Sequence, residues 1–331
     1  MTIYDIAKEA NVSASTVSRV INKRDGISAE TREKVEALLR KYNFSPDVVA
    51  RGLVMQSTKM IGILMEDLRV VHHTESAYLI ERAMTSQGYC VITMSTGSTE
   101  EEKANYIKIL GERRVEGVIL MGSAFESENV KLHITKHLAH VPVVIVNGYL
   151  DLPNVSGVIV DEFTGVENCV KLLHQKGLKQ IGFCLAGSSP SGLRKRNGYM
   201  SGMLACGAKS WELLVFQYES AKKFELGYQR TKEILNEHPT IEAMIYSDDL
   251  IAVGGLKATL EMGRAVPSQF SIIGINNNDY CEICTPTLST LDNRLVKISE
   301  MAADILINQL REPHEGKKLE IETRIIERET T

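Results

Sequence analysis

Between Ile3 and Tyr42, apolar positions recur three times at helical spacing. In IYDIAKEA, Ile3, Ile6, Ala7 and Ala10 fall on one face and predict a first helix. Asn11 breaks it, and Val12 gives a tight turn an apolar anchor. A second helix is expected from Ala14 to Ile21, with Val17, Val20 and Ile21 inward and Ser15, Ser18 and Arg19 on the other side. A third, ETREKVEALLRKY, should bury Val35, Leu38, Leu39 and Tyr42. Pro46 can open a short helix reaching Met55, too short to be stable alone.

From Lys59 the period changes. MIGILM (60–65), YCVITM (89–94), GVILMG (117–122) and VPVVIVN (141–147) read as strands separated by amphipathic stretches. A second series follows: SGVIVD (156–161), QIGFCLAG (180–187), ELLVFQ (212–217), EAMIYS (242–247) and FSIIGIN (270–276). Each block of βαβ repetition implies a parallel sheet covered by helices on both faces. Two such lobes leave a cleft at the carboxyl ends of their strands. The expected fold class is α/β: a three-helix head and hinge helix, then a two-lobed core of doubly wound parallel sheets.

Composition adjusts this picture only a little. The chain has 331 residues, 44% hydrophobic and 24% charged, enough for two or three compact units. Its net charge of −4 hides a mildly basic start, with nine Lys and Arg against seven Asp and Glu in residues 1–56. That fits nucleic-acid contact through the head, but so small an excess decides nothing. No leading basic-plus-apolar stretch resembles a secretory signal, and no apolar run approaches the roughly 18 residues of a membrane span. A cytoplasmic chain is expected. The six cysteines lie mostly in apolar segments, as reduced thiols do. Only Cys281-Glu-Ile-Cys284 has metal or redox spacing, and it lacks a second pair or a nearby histidine, so no metal is expected.

Enzyme signatures are missing from the sequence. No G-x-G-x-x-G follows the first body strand, and neither a P-loop nor a G-x-S-x-G elbow is present. Asp248 and Asp249, adjacent in one loop, make a poor catalytic or metal pair. No catalytic residue and no cofactor are expected. A free cytoplasmic sugar-binding protein is the competing reading of the body, and the head argues against it.

Two short helices joined by a tight turn and braced by a third make a helix-turn-helix. Small residues at the start of the second let it enter a major groove roughly 12 Å wide, with Arg19 in reach of a base edge or phosphate. The same pattern also suits a small capping unit with a solvated polar face. TIYDIAKEANVSASTVSRVIN closely resembles the DNA-binding head of the LacI/GalR family of bacterial transcriptional regulators. YNFSPDVVARGL resembles that family's hinge helix, and the resemblance extends along the body, implying a periplasmic-binding-protein-like core.

The resemblance implies residue roles. Ala14, Ser15 and Arg19 would face bases, while Thr2, Tyr4, Thr16, Ser18, Asn22 and Thr31 would lie near the DNA backbone and set register. Alanine offers a base only a methyl contact. In the hinge, Ala50 would permit close approach, Leu53 would wedge into the minor groove and Arg51 would meet phosphate. Asp47 departs from the family's usual Asn and reads as a helix cap turned from the phosphates. The expected division is 1–46 for the head, 47–56 for the hinge helix, 57–158 with 290–318 for one lobe, and 159–289 with 319–331 for the other.

By the same resemblance the effector pocket falls on Asp67, His72, His73, Asn147, Lys195, Asp248, Asp249 and Asn276. Lys195 stands where the family usually has Arg, and Asn276 where it usually has Asp. Lysine loses the bidentate grip of arginine, and Asn donates as well as accepts. His72 and His73 occupy the place of an aromatic pair that covers ring-shaped ligands. Arg194, Lys195 and Arg196 form a basic cluster that would attract a sugar phosphate or sugar acid, or else simply a solvated helix start. The head also resembles the catabolite control branch, whose corepressor is a phosphorylated phosphocarrier protein. Asp304 falls on a docking position that is basic there, so a small effector ranks first.

Taken together, these expectations describe a homodimeric regulator, most simply a repressor of carbohydrate-related genes, on a pseudo-palindromic operator and nucleoid-associated when bound. Helices near 75–88 and 126–139 are expected in the dimer surface. ETRIIERETT carries no leucine heptads, which favours a dimer over a tetramer.

Overall fold

The structure is a computed structural model, describing residues 2–21, 24–42, 57–218, 223–312 and 314–331. The expected hinge helix, with Ala50, Arg51 and Leu53, lies outside the described residues, as does Asn22. Two compact units emerge, Met1–Lys59 and Met60–Thr331.

In the first unit α1 (Ile3–Ala10) starts at a capping box. Thr2 accepts from the Asp5 amide while the Asp5 carboxylate accepts from the Thr2 amide. Asn11, at φ 56°, ends the helix in the left-handed region that Asn tolerates, and turns the chain into α2 (Ala14–Ile21). α3 (Ala29–Lys41) is capped by Ser28. Ile6, Val17 and Val35, one from each helix, are fully buried and meet in a small core. Leu38 and Leu39 pack only at its edge. Tyr42, expected inside, is 36% exposed, and its hydroxyl donates to Glu9 Oε1 at 3.0 Å. A core this small has no polar partner for a phenol, so the ring stays at the rim.

The second unit contains two six-stranded sheets. The first takes β1 (Met60–Met65), β2 (Cys90–Ser95), β3 (Gly117–Met121), β4 (Val143–Val146), β5 (Val155–Asp161) and β11 (Lys318–Glu322), in the order β11-β5-β4-β3-β1-β2, all parallel. The second takes β6 (Ile181–Ala186), β7 (Leu214–Tyr218), β8 (Ala243–Tyr246), β9 (Ser271–Ile275), β10 (Ser289–Asp292) and β12 (Arg324–Ile326), ordered β12-β10-β9-β8-β6-β7, with β12 antiparallel to β10. β3, β4, β8 and β9 are buried throughout, which is why they read as unbroken apolar runs. Separate apolar clusters cover the two faces of each sheet.

One strand changes sides. SGVIVD opens the second series in the sequence, yet as β5 it pairs with β4, Val143 opposite Val155, in the first sheet. The chain crosses to the second lobe only after it, at α7 (Glu162–Gln175), which packs on α8 (Pro190–Ala205) and β10. It returns after β10 at α12 (Leu295–Arg311), which packs on α4 (Val71–Ser86), β4 and β5. A third crossing joins β11 to β12 at Thr323. The division expected at 158/159 and 318/319 thus falls inside β5 and β11, and β10 belongs to the second sheet.

Close helix packing then sets the floor between the lobes. A Cβ on Gly198 would come within 2.2 Å of the Phe163 carbonyl oxygen, and one on Gly202 within 3.0 Å of the Glu167 carbonyl oxygen. These glycines let α8 lie directly on α7. One and two turns before Gly198, the same approach brings Arg194, Lys195 and Ser191 to the first residue of α7, Glu162.

Candidate functional site

Two surfaces carry chemistry. On the head, Ser15 and Arg19 are exposed on α2, and Ala14, Thr16 and Ser18 are half-buried beside them. Thr2 and Tyr4 are exposed at the start of α1, Tyr4 by 73%, and Thr31 is half-buried on α3. Ser13, not singled out from the sequence, organises the start of α2. Its hydroxyl accepts from the Thr16 amide at 3.1 Å and lies 2.7 Å from Ser15 Oγ and 2.9 Å from Thr16 Oγ1. A helix start bearing hydroxyls, with an exposed guanidinium further along, offers donors to phosphate and base edges.

The other surface is the cleft between the lobes, a cavity of about 610 Å³. Its polar groups follow the carboxyl ends of strands: Asn147 after β4, Glu162 after β5, Asp248 after β8, Asn276 after β9 and Asn293 after β10. Asn147 and Asn276 have φ of 57° and 114°, so the chain turns sharply as it leaves each strand.

Glu162 is the centre of this floor. The side chain is fully buried, yet it holds a carboxylate. Oε1 accepts from Ser191 Oγ at 2.8 Å, Asn147 Nδ2 at 3.2 Å and Asn293 Nδ2 at 3.3 Å, and pairs with Lys195 Nζ at 3.2 Å. Those donors come from both lobes and from the second crossing. Oε2 faces Arg194 Nε at 3.6 Å and has no hydrogen bond among the described residues. From Glu162 the network runs through Asn293 to Asn276 Oδ1 at 2.9 Å, from Asn276 Nδ2 to Asp248 Oδ2 at 3.2 Å, and on to Lys223 Nζ at 2.7 Å. Lys195 also donates to the Ser247 carbonyl at 3.3 Å.

Other contacts join the lobes directly. Arg194 reaches Glu126 Oε2 at 3.1 Å and the Asn147 carbonyl at 3.3 Å, and the Ser191 amide donates to Ser123 Oγ at 3.0 Å. The basic cluster expected to await an acid is therefore engaged: Arg194 with Glu126 and Lys195 with Glu162.

His72 and His73, on α4, both line the cavity, their rings edge to face with centroids 4.3 Å apart. Burial first, and neighbouring positive groups after it, hold both below the usual imidazole range, His73 at about 4. At neutral pH they are uncharged rings, and His73 Nδ1 is buried without a hydrogen bond among the described residues.

Two expected pocket residues do not reach the cavity. Asp67 is gripped by its neighbour Arg69, with Nη2 at 2.7 Å and Nε at 2.9 Å, and this pairing lowers its carboxyl below the ordinary value. Asp249 is fully buried beneath the wall, accepting from Thr290 Oγ1 at 2.6 Å and the Asn278 amide at 2.8 Å. Burial pushes its carboxyl up to about 6. Asp249 fastens the loop after β9 instead of meeting a ligand. Conversely, the sequence reading passed over Glu162, Lys223 and Asn293. Asn147 was placed by resemblance; Glu162 directly follows the SGVIVD strand, so the rule that polar groups gather at strand ends would have flagged it, while Asn293 follows a short polar strand that was not read as one.

Among the described residues, no group of three or more His, Cys, Asp and Glu could hold a metal, and no helix is long and apolar enough to cross a membrane. Cys281 is buried and Cys284 half-buried, both are free, and burial pushes both thiols up.

Comparison with known proteins bears on both surfaces. Residues 2–47 match the family "Bacterial regulatory proteins, lacI family", and residues 170–331 match a "Periplasmic binding protein-like domain". An HTH-type transcriptional regulator of Lachnoclostridium phytofermentans is 31% identical over 337 residues, covering 100% of this chain and 99% of its own length. The HTH-type transcriptional repressor PurR of Escherichia coli O139:H28 is 30% identical over 330 residues, with 99% and 96% covered. The lac repressor dimer bound to operator and the anti-inducer ONPF superposes with a TM-score of 0.88 at 24% identity, over 100% of this chain and 99% of that one, which shows the shared fold. These relatives are regulators and not enzymes. With a helix-turn-helix head and a two-lobed core crossed three times by the chain, and a whole-length relative at this identity, the chain belongs to the lacI family of bacterial transcriptional regulators.

Proposed function

We propose that the chain is a homodimeric repressor of carbohydrate-related genes, reading a pseudo-palindromic operator and switched by a small polyhydroxylated effector in the cleft. The observation that carries the effector is the polar floor, built from both lobes and both crossings around Glu162. A ligand touching it contacts groups that move relative to one another when the lobes turn. Binding that favours one lobe angle shifts the population of that state, which couples the cleft to DNA. Hydroxyls suit the site because each both donates and accepts. The cavity lining offers partners for both, from the side-chain amides of Asn147, Asn276 and Asn293 and the uncharged imidazoles of His72 and His73.

Ser15 and Arg19 carry base readout in this reading, with Ala14 beside them and Thr2, Tyr4, Thr16, Ser18 and Thr31 on the backbone. Tyr78 on α4 and Leu132 on α6 (Glu128–His137) are exposed by 61% and 62%, which supports these helices as dimer surface. Asp304 is exposed on α12 and sets a negative charge against a phosphorylated protein corepressor.

The test is to enrich operator sequences from random duplexes on the full chain, then titrate the complex with neutral mono- and disaccharides. A two-fold symmetric site whose affinity changes with one sugar is expected. Failure to enrich any sequence sinks the repressor; enrichment with no response to any sugar sinks the carbohydrate effector.

A further inference from the structure

The cavity wall carries its own counter-anions. Lys195, Lys223 and Lys103 line it, and each already has a carboxylate partner. Lys195 Nζ lies 3.2 Å from Glu162, Lys223 Nζ 2.7 Å from Asp248, and Lys103 Nζ 2.9 Å from Glu66 and 3.2 Å from Glu100. Arg194, behind the wall, spans Glu126 and Glu162. Among the described residues, five lining carboxylates thus face three lining lysines and that one guanidinium.

Resting on the reading that the cleft takes a carbohydrate-like effector, we propose that Glu162 is its specificity-determining residue, occupying the place an effector's acidic group would need against Lys195 and Arg194 and so excluding anionic sugars. Position supports the role. Glu162 is fully buried and cannot swing into solvent, and its Oε2 lies on the Arg194 side with no hydrogen bond among the described residues. A phosphate or carboxylate approaching Lys195 would place a second negative charge beside a fixed one in a site screened from water, where like charges repel most strongly. A hydroxyl meets no such penalty, since it carries no charge. Discrimination here comes from repulsion built against the wrong ligand as much as from attraction to the right one.

The proposal predicts an inversion. The Glu162→Gln variant keeps the shape and leaves Lys195 and Arg194 without their buried carboxylate, so the site becomes an anion receptor. Inorganic phosphate is the probe, titrated against chloride at equal ionic strength so that general screening cancels. Full-length wild-type chain should show no phosphate-dependent rise in melting temperature. Glu162→Gln should bind phosphate roughly tenfold or more tightly than wild type, about 1.4 kcal/mol for each tenfold. The double variant Glu162→Gln with Lys195→Gln should lose that gain, which places the phosphate in the cleft. Phosphate binding by the wild type that Lys195→Gln abolishes, or no gain in Glu162→Gln, overturns the proposal. If the single variant does not fold, the wild type decides: glucuronate or glucose 6-phosphate binding as tightly as glucose overturns it, and both weaker than glucose supports it. Absence of any sugar response in the operator titration is a separate result and counts against the carbohydrate reading.

Discussion

The head and the cleft present polar groups in opposite ways. On α2, Ser15 and Arg19 are exposed, while Val17 and Val20 of the same helix are buried in the head's core. In the cleft, Glu162, Lys195, Asp248 and Asn276 are buried and already bonded to one another. Contact by the head therefore adds bonds that the free protein lacks, while contact in the cleft exchanges bonds that already exist. An addition sets affinity. An exchange can set conformation, because the donors around Glu162 belong to different lobes. A surface of the first kind suits reading DNA, and one of the second kind suits a switch.

The sharpest way to break this contrast is to remove the shared carboxylate. Glu162→Ala leaves Lys195 in a buried site without the charge that pairs it, and leaves Arg194 to Glu126 alone. Breaking a buried pair from one side costs about 3–5 kcal/mol. Urea unfolding of the full chain should show a loss of that order, confined to the second unit. A loss under 1 kcal/mol, by the same order-of-magnitude measure, would mean that solvent reaches the site and that the exchange picture is wrong.

Asp249 tests burial without a cation. Its folded pKa of about 6 lies above the ordinary aspartate value of 3.8. Below both values the group is protonated in either state. Between them the folded chain keeps a proton that the unfolded chain has lost, so stability falls as pH rises toward 6 and then levels. The slope is at most about 1.4 kcal/mol per pH unit, or roughly 3 kcal/mol across the window. Asp249→Asn removes the titration while setting an amide donor against either the Thr290 hydroxyl or the Asn278 amide. The stability difference between wild type and variant should shrink from pH 4 to pH 6; a constant difference would show that the carboxyl is ionised throughout.

On the head, Arg19→Ala should weaken operator binding by about 1–3 kcal/mol and relax the sequence preference where it reads, with the fold unchanged. If affinity fell equally on all sequences, Arg19 would be a phosphate contact instead of a reader.

How far the sequence alone could go follows from the same contrast. The head was legible because Ile6, Ala7, Ala10, Val17 and Val20 repeat at helical spacing, and exposed residues need no long-range partner to be understood. The strands β3, β4, β8 and β9 were legible because both of their faces are buried. β10 and β11 were not, since STLD is short and polar and KLEIE is mostly charged. Nor could sequence order show that β5 joins the first sheet, which is decided by its pairing with β4. Asn147, Lys195, Asp248 and Asn276 could be placed at strand ends or by resemblance, and all four line the cavity. Glu162 also follows a strand but was passed over, because an acid at a helix start reads as a solvated residue favoured by the helix dipole. Its burial arises only when Asn147 of one lobe, Ser191 and Lys195 of the other and Asn293 of the second crossing close around it.

The smallest effect probes the head's own stability. Ser28 caps α3 by accepting from the Thr31 amide at 3.3 Å, while its hydroxyl hydrogen goes to Thr31 Oγ1 at 2.8 Å. Ser28→Ala deletes both bonds and should cost about 1 kcal/mol. Since the two units are separately compact, the loss should appear as faster amide exchange, roughly fivefold, confined to residues 2–42. The cleft should not register it, because the two bonds that Ser28→Ala deletes both go to Thr31 within the head. If exchange also quickened around Glu162, the head and the cleft would be one cooperative unit, and the distinction between a surface that adds bonds and a floor that exchanges them would no longer map onto two independently stable parts.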